Sequence, residues 1–256
     1  MENPACATVE NVLILKADRL YAEMLRQHIH HEFPAARITI VASVEAAARV
    51  LAAGPNDFLI TGLGAPVDGD VLDLLVQHRQ RRTGTRRVFV VTARREYRVL
   101  AALKSLSIEG VFDSAAEPPV RLAAALQVVA RGALYWSPSI VDHLRRVGSA
   151  SNAWFRMLTA FEQVVLSVVG GGCDDAMAAQ ELGLSPATVS TVRRELHRKL
   201  GVQHRGELVR VAAQQGFVRF TPTGVVRPGF ALLSAAYEAR RTKRPGVVSP
   251  VAAKMT

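Results

Sequence analysis

The chain has 256 residues, 49% of them apolar, which is enough for two modest domains that each bury a core. No uninterrupted apolar run approaches the roughly 18 residues a membrane-crossing helix needs, and Glu2 and Glu10 stand where a secretory leader would be basic, so a cytoplasmic protein is expected. The net charge of +10 is uneven: residues 1–135 carry 16 basic against 14 acidic groups, residues 158–220 carry 7 against 6, and residues 221–256 carry 6 against 1.

Residues 1–10 read as an extension. From residue 11 to 132 strand-like and helical patterns alternate. Val12-Leu13-Ile14-Leu15, Arg37 to Val41, Phe58 to Thr61 and Val88 to Val91 are short apolar runs of the kind buried in parallel sheets, and Val111-Phe112 is a fifth. Helical segments separate and follow them at Leu20 to Phe33, Val44 to Ala53, Val71 to Arg79, Tyr97 to Leu106 and Pro119 to Arg131. Five such units predict a doubly wound α/β domain with five parallel strands and a crevice at the strand C-termini.

Order and lengths resemble the receiver domain of two-component response regulators across residues 11–132. In that family an acidic pair after the first strand and an Asp after the third hold Mg²⁺, and the latter takes a phosphoryl group. Here the resemblance aligns Lys16-Ala17 with the pair and, through Leu63-Gly64, Pro66 and Asp68-Gly69, Gly62 with the phosphorylated Asp. Thr92 keeps the family's hydroxyl position, Ser114 stands in place of its Lys, and Val111 in place of a switching aromatic. A hard dication needs oxygen ligands and a phosphoaspartate needs a carboxylate, so Lys16, Ala17, Gly62, Thr92 and Ser114 describe a degenerate phosphorylation pocket without phosphotransfer. Asp18 alone, beside Lys16, is a poor metal site. Two readings of Lys16 stand: its ammonium fills the emptied metal position, or it reaches solvent. The resemblance also implies pairing of receivers, with Leu20 to Phe33 and Pro119 to Arg131 among the candidate faces.

Residues 133–157 read as a linker. Ser137-Pro138 is a cap and first-turn pair, predicting a helix to Leu144, followed by a joint rich in small polar residues at Gly148 to Asn152. Trp136 and Trp154 are read as anchors against neighbouring domains.

Residues 158–220 hold the most specific signal. Thr159 and Glu162 form a capping box before a helix over Ala160 to Val169, which Gly170 to Gly172 stop. Asp174 caps a short second helix with Ala178, Ala179 and Leu182 inward, and Gly183 suits a turn at positive φ. Ser185 and Pro186 open a third helix, Ala187 to Leu200, with Val189, Val192, Leu196 and Leu200 on one buried stripe. Ser190, Thr191, Arg194 and Arg198 then face outward, the geometry of a helix-turn-helix that enters a DNA major groove.

This stretch resembles the LuxR/FixJ-type helix-turn-helix of NarL-like regulators, on Leu158-Thr159, Glu162, Val165-Leu166, Ala179, Leu182-Gly183, Ser185, Thr188-Val189, Lys199-Leu200-Gly201-Val202 and Leu208. The resemblance implies base contacts from Ser190, Thr191 and Arg194, with Arg194 able to pair bidentately with guanine, and phosphate contacts from Ser185, Thr188, Arg193, Arg198 and Lys199. Val192 and Glu195 replace a usual His and Asn, Ala176 and Ala187 replace usual polar or basic residues, and Asp174-Asp175 adds acid at the rim, so this module is expected to make fewer phosphate contacts than its relatives.

Residues 221–256 form a basic tail. Thr221 to Gly229 reads as a turn-bearing connection, and Phe230, Leu233 and Tyr237 mark a short amphipathic helix that leads into Arg240, Arg241, Lys243 and Arg244, either a solvated end or a backbone clamp. Cys6 and Cys173 give neither a disulfide framework nor a metal spacing, and the seven histidines, with His28, His30 and His31 at a helix end, form no ligand constellation. No cofactor, metal or catalytic set is expected. The function expected is that of an atypical response regulator that binds double-stranded DNA as a homodimer without phosphorylation and controls transcription. The alternative is an interaction module that pairs with a partner regulator and binds little DNA itself.

Overall fold

The computed structural model describes residues 9–64, 66, 68–81, 85–149 and 154–242. These fall into two compact units, Met1–Arg95 with Leu100–Arg146, and Glu96–Val99 with Val147–Thr256.

The N-terminal unit alternates β1 (Asn11–Leu15), α1 (Arg19–Glu32), β2 (Arg37–Val41), α2 (Val44–Ala53), β3 (Asn56–Thr61), α3 (Val71–Arg81), β4 (Thr85–Thr92), α4 (Tyr97–Ser105), β5 (Gly110–Asp113) and α5 (Val120–Ala130), followed by β6 (Tyr135–Trp136) and α6 (Pro138–Ser149). The strands form one parallel sheet in the order β2-β1-β3-β4-β5-β6. The sixth strand comes from the segment between the domains: Tyr135 and Trp136 pair with Gly110 and Val111, and Trp136 donates its indole N–H to the Ile108 carbonyl.

Side chains alternate across a sheet, so a strand covered on both faces must be apolar at every position. β3 meets this requirement with all six residues buried. Val12, Ile14, Phe58, Ile60, Phe89, Val91 and Phe112 form one core with Leu25, Ile29 and Phe33 around α1 and Leu122, Leu126 and Val129 of α5. The intervening Leu13, Leu59, Val90 and Val111 are equally buried on the other face. β2, at the edge, is only partly covered.

The strand order reverses direction between β1 and β3, and in doubly wound sheets the crevice outside the strand ends lies at that point. Lys16 and Gly62 each follow one of these two strands.

The C-terminal unit contains α7 (Trp154–Met157), α8 (Ala160–Val169), α9 (Asp175–Leu182), α10 (Pro186–Leu200), α11 (Arg205–Gln214), a hairpin of β7 (Arg219–Thr221) and β8 (Gly224–Val226), and α12 (Phe230–Thr242). Its core joins Val165, Leu166 and Val169 of α8 to Ala178, Leu182, Val189, Leu196, Leu208 and Phe217. α12 packs on α8, with the Phe161 and Tyr237 rings stacked 5.2 Å apart. Gly170 is required by close approach, because a Cβ there would lie 2.4 Å from that of Ala212.

Glu2, Cys6, Ser151, Asn152, Lys243 and Arg244 lie outside the described residues, as do the side chains of Trp154, Arg240 and Arg241. α6 continues to Ser149, past the expected end at Leu144.

Candidate functional site

The helix-turn-helix is built by caps at each boundary. The Thr159 hydroxyl accepts from the Glu162 N–H at 3.2 Å, while the Glu162 carboxylate accepts from the Thr159 N–H at 2.7 Å. Asp174 caps α9 by accepting from the Met177 N–H at 2.8 Å. Gly183 ends α9 in the left-handed region (φ 64°), a conformation that a Cβ penalises. Ser185 then caps α10 by accepting from the Thr188 N–H at 3.1 Å, with Pro186 in the first turn.

On α10, Val189 and Leu196 are fully buried, and Val192 and Leu200 pack partly against the same core. That orientation leaves Thr191, Arg194 and Arg198 exposed and Ser190 half-buried. Arg194 reaches back to the Thr191 hydroxyl at 3.3 Å, and that hydroxyl donates to the Ala187 carbonyl at 3.0 Å. The Ser185 and Thr188 hydroxyls lie 2.8 Å apart at the helix start.

The basic residues of α10 are not equally available. Arg198 pairs with Glu195 at 2.7 Å in the open, where such a pair is weak. Arg193 is held by Asp175 of α9 at 2.7 Å. Lys199 donates to Glu162 at 2.8 Å, with side chains only 23% and 10% exposed. Burial opposes the charge on Glu162, but hydrogen bonds from Lys199 and Thr159 outweigh it and hold its carboxyl below the ordinary range. The pairing of Arg193 and Lys199 with acids on other helices was not legible in the sequence: Asp175 and Glu162 lie 18 and 37 positions away from them.

At the sheet's C-terminal edge, Gly62 and Lys16 are complementary. A Cβ on Gly62 would stand 3.0 Å from the Lys16 ammonium and 3.3 Å from the Val91 carbonyl oxygen, so the lysine occupies the space a side chain at 62 would fill. Its ammonium also sits 4.1 Å from the centroid of the Tyr21 ring, a cation–π contact. Lys16 is half-buried, with its ammonium against Gly62 and the Tyr21 ring. Asp18 is spent on the N-cap of α1, accepting from the Tyr21 N–H at 3.0 Å. Asp68 caps α2, accepting from Val44 and Glu45 N–H at 2.9 and 2.8 Å. Thr92 is buried and its hydroxyl accepts from the Arg94 N–H at 3.0 Å. Ser114 is exposed, with its N–H donating to the Thr92 carbonyl at 3.0 Å, and Ala17 is exposed. An ammonium and a glycine in place of carboxylates do not fit a magnesium ion. Among the described residues no group of three or more His, Cys, Asp or Glu could hold a metal.

Asp113, which the sequence did not mark, is the buried acid of this edge. It accepts from the Ser139 hydroxyl, the Arg95 guanidinium and the Ala115 and Ala116 N–H groups, and its own N–H donates to Ser137. Burial raises its pKa, and these hydrogen bonds outweigh that and hold it below the usual carboxylate value. Ser137 and Ser139 flank the start of α6, so the backbone N–H and the carboxylate of Asp113 together fix β6 and α6 to the end of β5.

Comparison with known proteins matches residues 156–212 to the family described as bacterial regulatory proteins, luxR family. The transcriptional regulatory protein MctR of Rhizobium johnstonii is 32% identical over 99 residues, 38% of this chain and 44% of that protein. The chain thus spans less than half the length of the curated relative it matches. Among solved structures, a complex of the two-component response regulator RcsB with DNA covers 80% of this chain and 98% of its own at 21% identity, with a TM-score of 0.54. RcsB of Salmonella enterica serovar Typhimurium bound to promoter P1flhDC gives 22% identity at the same coverage and a TM-score of 0.55. A structure of two RcsB dimers on two parallel DNAs gives 21% identity, again with 80% and 98% covered, and 0.54. The fold is like that of these RcsB structures, a receiver-like α/β unit and a helical C-terminal unit, and residues 156–212, which hold the helix-turn-helix, match the luxR-family model.

Proposed function

We propose that the chain is a sequence-specific DNA-binding transcriptional regulator that works in the cytoplasm as a dimer and without phosphoryl transfer. The observation that carries this reading is the presentation of α10: Val189 and Leu196 anchor one face in the core, and Thr191 and Arg194 stand exposed beside Ser190. These three are proposed as the base-reading residues, with Arg194 on a guanine edge. Ser185, Thr188, Arg193, Arg198 and Lys199 are proposed to hold phosphates, Arg193 and Lys199 by exchanging Asp175 and Glu162 for them.

Independence from phosphorylation is supported by the lysine that fills the Gly62 position. Dimerisation through α1 and α5 is supported by Leu20 and Val120, 75% and 77% exposed on those helices, and by the dimers on DNA reported for RcsB. A twofold dimer would put two α10 helices on two half-sites. No enzymatic role is assigned, and no helix among the described residues is long and apolar enough to cross a membrane.

A second reading is favoured by one observation. Because Arg193 and Lys199 already have acidic partners, part of the cationic face of α10 is spent within the domain, which would then serve mainly to pair with another regulator. Binding to a fixed duplex across a salt series separates the two. A DNA-binding regulator loses affinity in proportion to the phosphates it engages, with a log-log slope of roughly −0.9 per contact, and Arg198→Ala makes that slope shallower by about one contact. A flat response at every salt concentration would reject the DNA reading.

A further inference from the structure

In a helix-turn-helix the first helix crosses the DNA backbone while the second enters the groove, so phosphates arrive at the start of the one and along the flank of the other. The two helices of this motif begin with opposite chemistry. α10 opens with the hydroxyls of Ser185 and Thr188 and has no acid in its first turn. α9 opens with two carboxylates: Asp174 accepts from the Met177 N–H at 2.8 Å, and Asp175 follows in the first turn. The partial positive charge of a helix start, which draws a phosphate where it is bare, is met at α9 by the protein's own acids.

Asp175 also reaches the flank of α10. Arg193 donates from Nη2 to its Oδ2 at 2.7 Å, and the two side chains are only 28% and 19% exposed, so water and salt screen this pair less than one in the open. The other oxygen, Oδ1, is buried and has no hydrogen-bond partner. Moving the guanidinium onto a phosphate therefore strips a donor from a carboxylate that already lacks one, and that cost opposes the move.

We infer that Asp175 is a brake on DNA affinity. By holding Arg193 it keeps that guanidinium from phosphates in any complex too loose to displace the carboxylate, and so governs how strongly the chain holds DNA that it does not read. The inference rests on the reading of α10 as the DNA-binding helix and adds to it an acid that acts through Arg193. The charge of the domain makes one such latch count: residues 158–220 carry 7 basic against 6 acidic groups, so sequence-independent attraction has little surplus to draw on.

The opposite arrangement is equally well defined. A guanidinium has several N–H donors, so Arg193 would take a phosphate with one edge while Asp175 steadies the other. The two arrangements predict effects of opposite sign when the carboxylate is neutralised.

The experiment measures binding of the full-length chain to a short mixed-sequence duplex by fluorescence anisotropy across a salt series. The chains are the wild type, Asp175→Asn, Arg193→Met and the double variant, with Asp175→Ser in place of Asp175→Asn if the latter loses the native circular dichroism. Asp175→Asn is expected to tighten binding about fivefold or more at low salt and to steepen the log-log salt slope by about one phosphate contact. Arg193→Met alone is expected to change binding by less than about twofold, because the arginine is held back, and to erase most of the gain from Asp175→Asn. A gain of equal size with and without Arg193 would overturn the inference, since it would report the change of net charge alone. So would Asp175→Asn binding that is unchanged or weaker, a loss in Arg193→Met as large as in the Asp175→Asn background, or no binding by any of the folded chains at the lowest salt. Sequence reading by α10 is judged separately by selection from genomic DNA, because a mixed-sequence duplex reports phosphate attraction only. A cycle that holds while that selection enriches nothing would reject the sequence-specific reading and leave the brake in place.

Discussion

Glu162→Ala removes the side chain on which two helices of the C-terminal unit converge. Its carboxylate accepts from the Thr159 N–H and from Lys199, the latter 37 residues away on α10. Loss of a helix cap costs about 1 kcal/mol. The ion pair lies between the exposed and the buried limits, because the side chains are 23% and 10% exposed, so stranding Lys199 costs about 1–2 kcal/mol more. A total of about 2–3 kcal/mol lowers the melting temperature of a domain of this size by roughly 10–20 °C. The pair's contribution has a definite pH dependence. The folded carboxyl sits below its unfolded value, so the stabilisation is complete above the unfolded pKa and is lost as pH falls through the folded one. The assay is amide hydrogen exchange at α8 and α10 in the wild type, Glu162→Ala, Lys199→Met and the double variant, which isolates the coupling without requiring the two units to unfold together. A change in Glu162→Ala below about 0.5 kcal/mol, or a coupling near zero, would refute the argument.

Gly110→Ala places a Cβ 2.1 Å from the buried Phe89 ring and is expected to cost about 2–3 kcal/mol, measured by urea denaturation, because neither β5 nor that ring can yield. Asp113→Asn removes the charge that Arg95 and Ser139 share and is expected to destabilise the N-terminal unit by about 2 kcal/mol at neutral pH. Since the Asp113 pKa is lowered on folding, the difference between variant and wild type should shrink as pH falls through that folded value, which a series of acid melts would follow. Intact-mass analysis after incubation with Mg²⁺ and a small phosphodonor should find no phosphoryl adduct on the wild type. It should find none on Gly62→Asp either, because the new carboxylate would meet the Lys16 ammonium before any metal.

The sequence revealed those features whose causes are local. Thr159 with Glu162, Asp174 and Ser185-Pro186 mark the starts of α8, α9 and α10 through side chains within a few residues of the backbone groups they satisfy, and Gly183 marks the end of α9 through its left-handed backbone. The apolar runs of β1 and β3 reflect burial on both faces, which any short Val/Ile/Leu-rich segment records. β6 was not legible because two residues carry no periodicity; its place is fixed by Ser137 and Ser139 reaching Asp113, 24 and 26 positions away. The three-residue strands of the hairpin read only as a turn-bearing connection for the same reason. At the site, the outward face of α10 followed from the stripe through Val189 and Leu196. The acids that hold Arg193 and Lys199 did not, because their proximity is created by helix packing.

The central claim is that this chain reads DNA through α10 without a phosphoryl signal. The most direct measurement is selection of genomic DNA fragments by purified protein never exposed to a phosphodonor, at physiological salt, with Arg194→Ala in parallel. The account predicts enrichment of a shared, roughly palindromic sequence by the wild type. Because an arginine paired to guanine contributes about 1–3 kcal/mol of discrimination, that enrichment should be lost or relaxed in the folded variant. A wild-type chain that is folded and enriches nothing, or an Arg194→Ala variant that recovers the same sequence equally well, would contradict it.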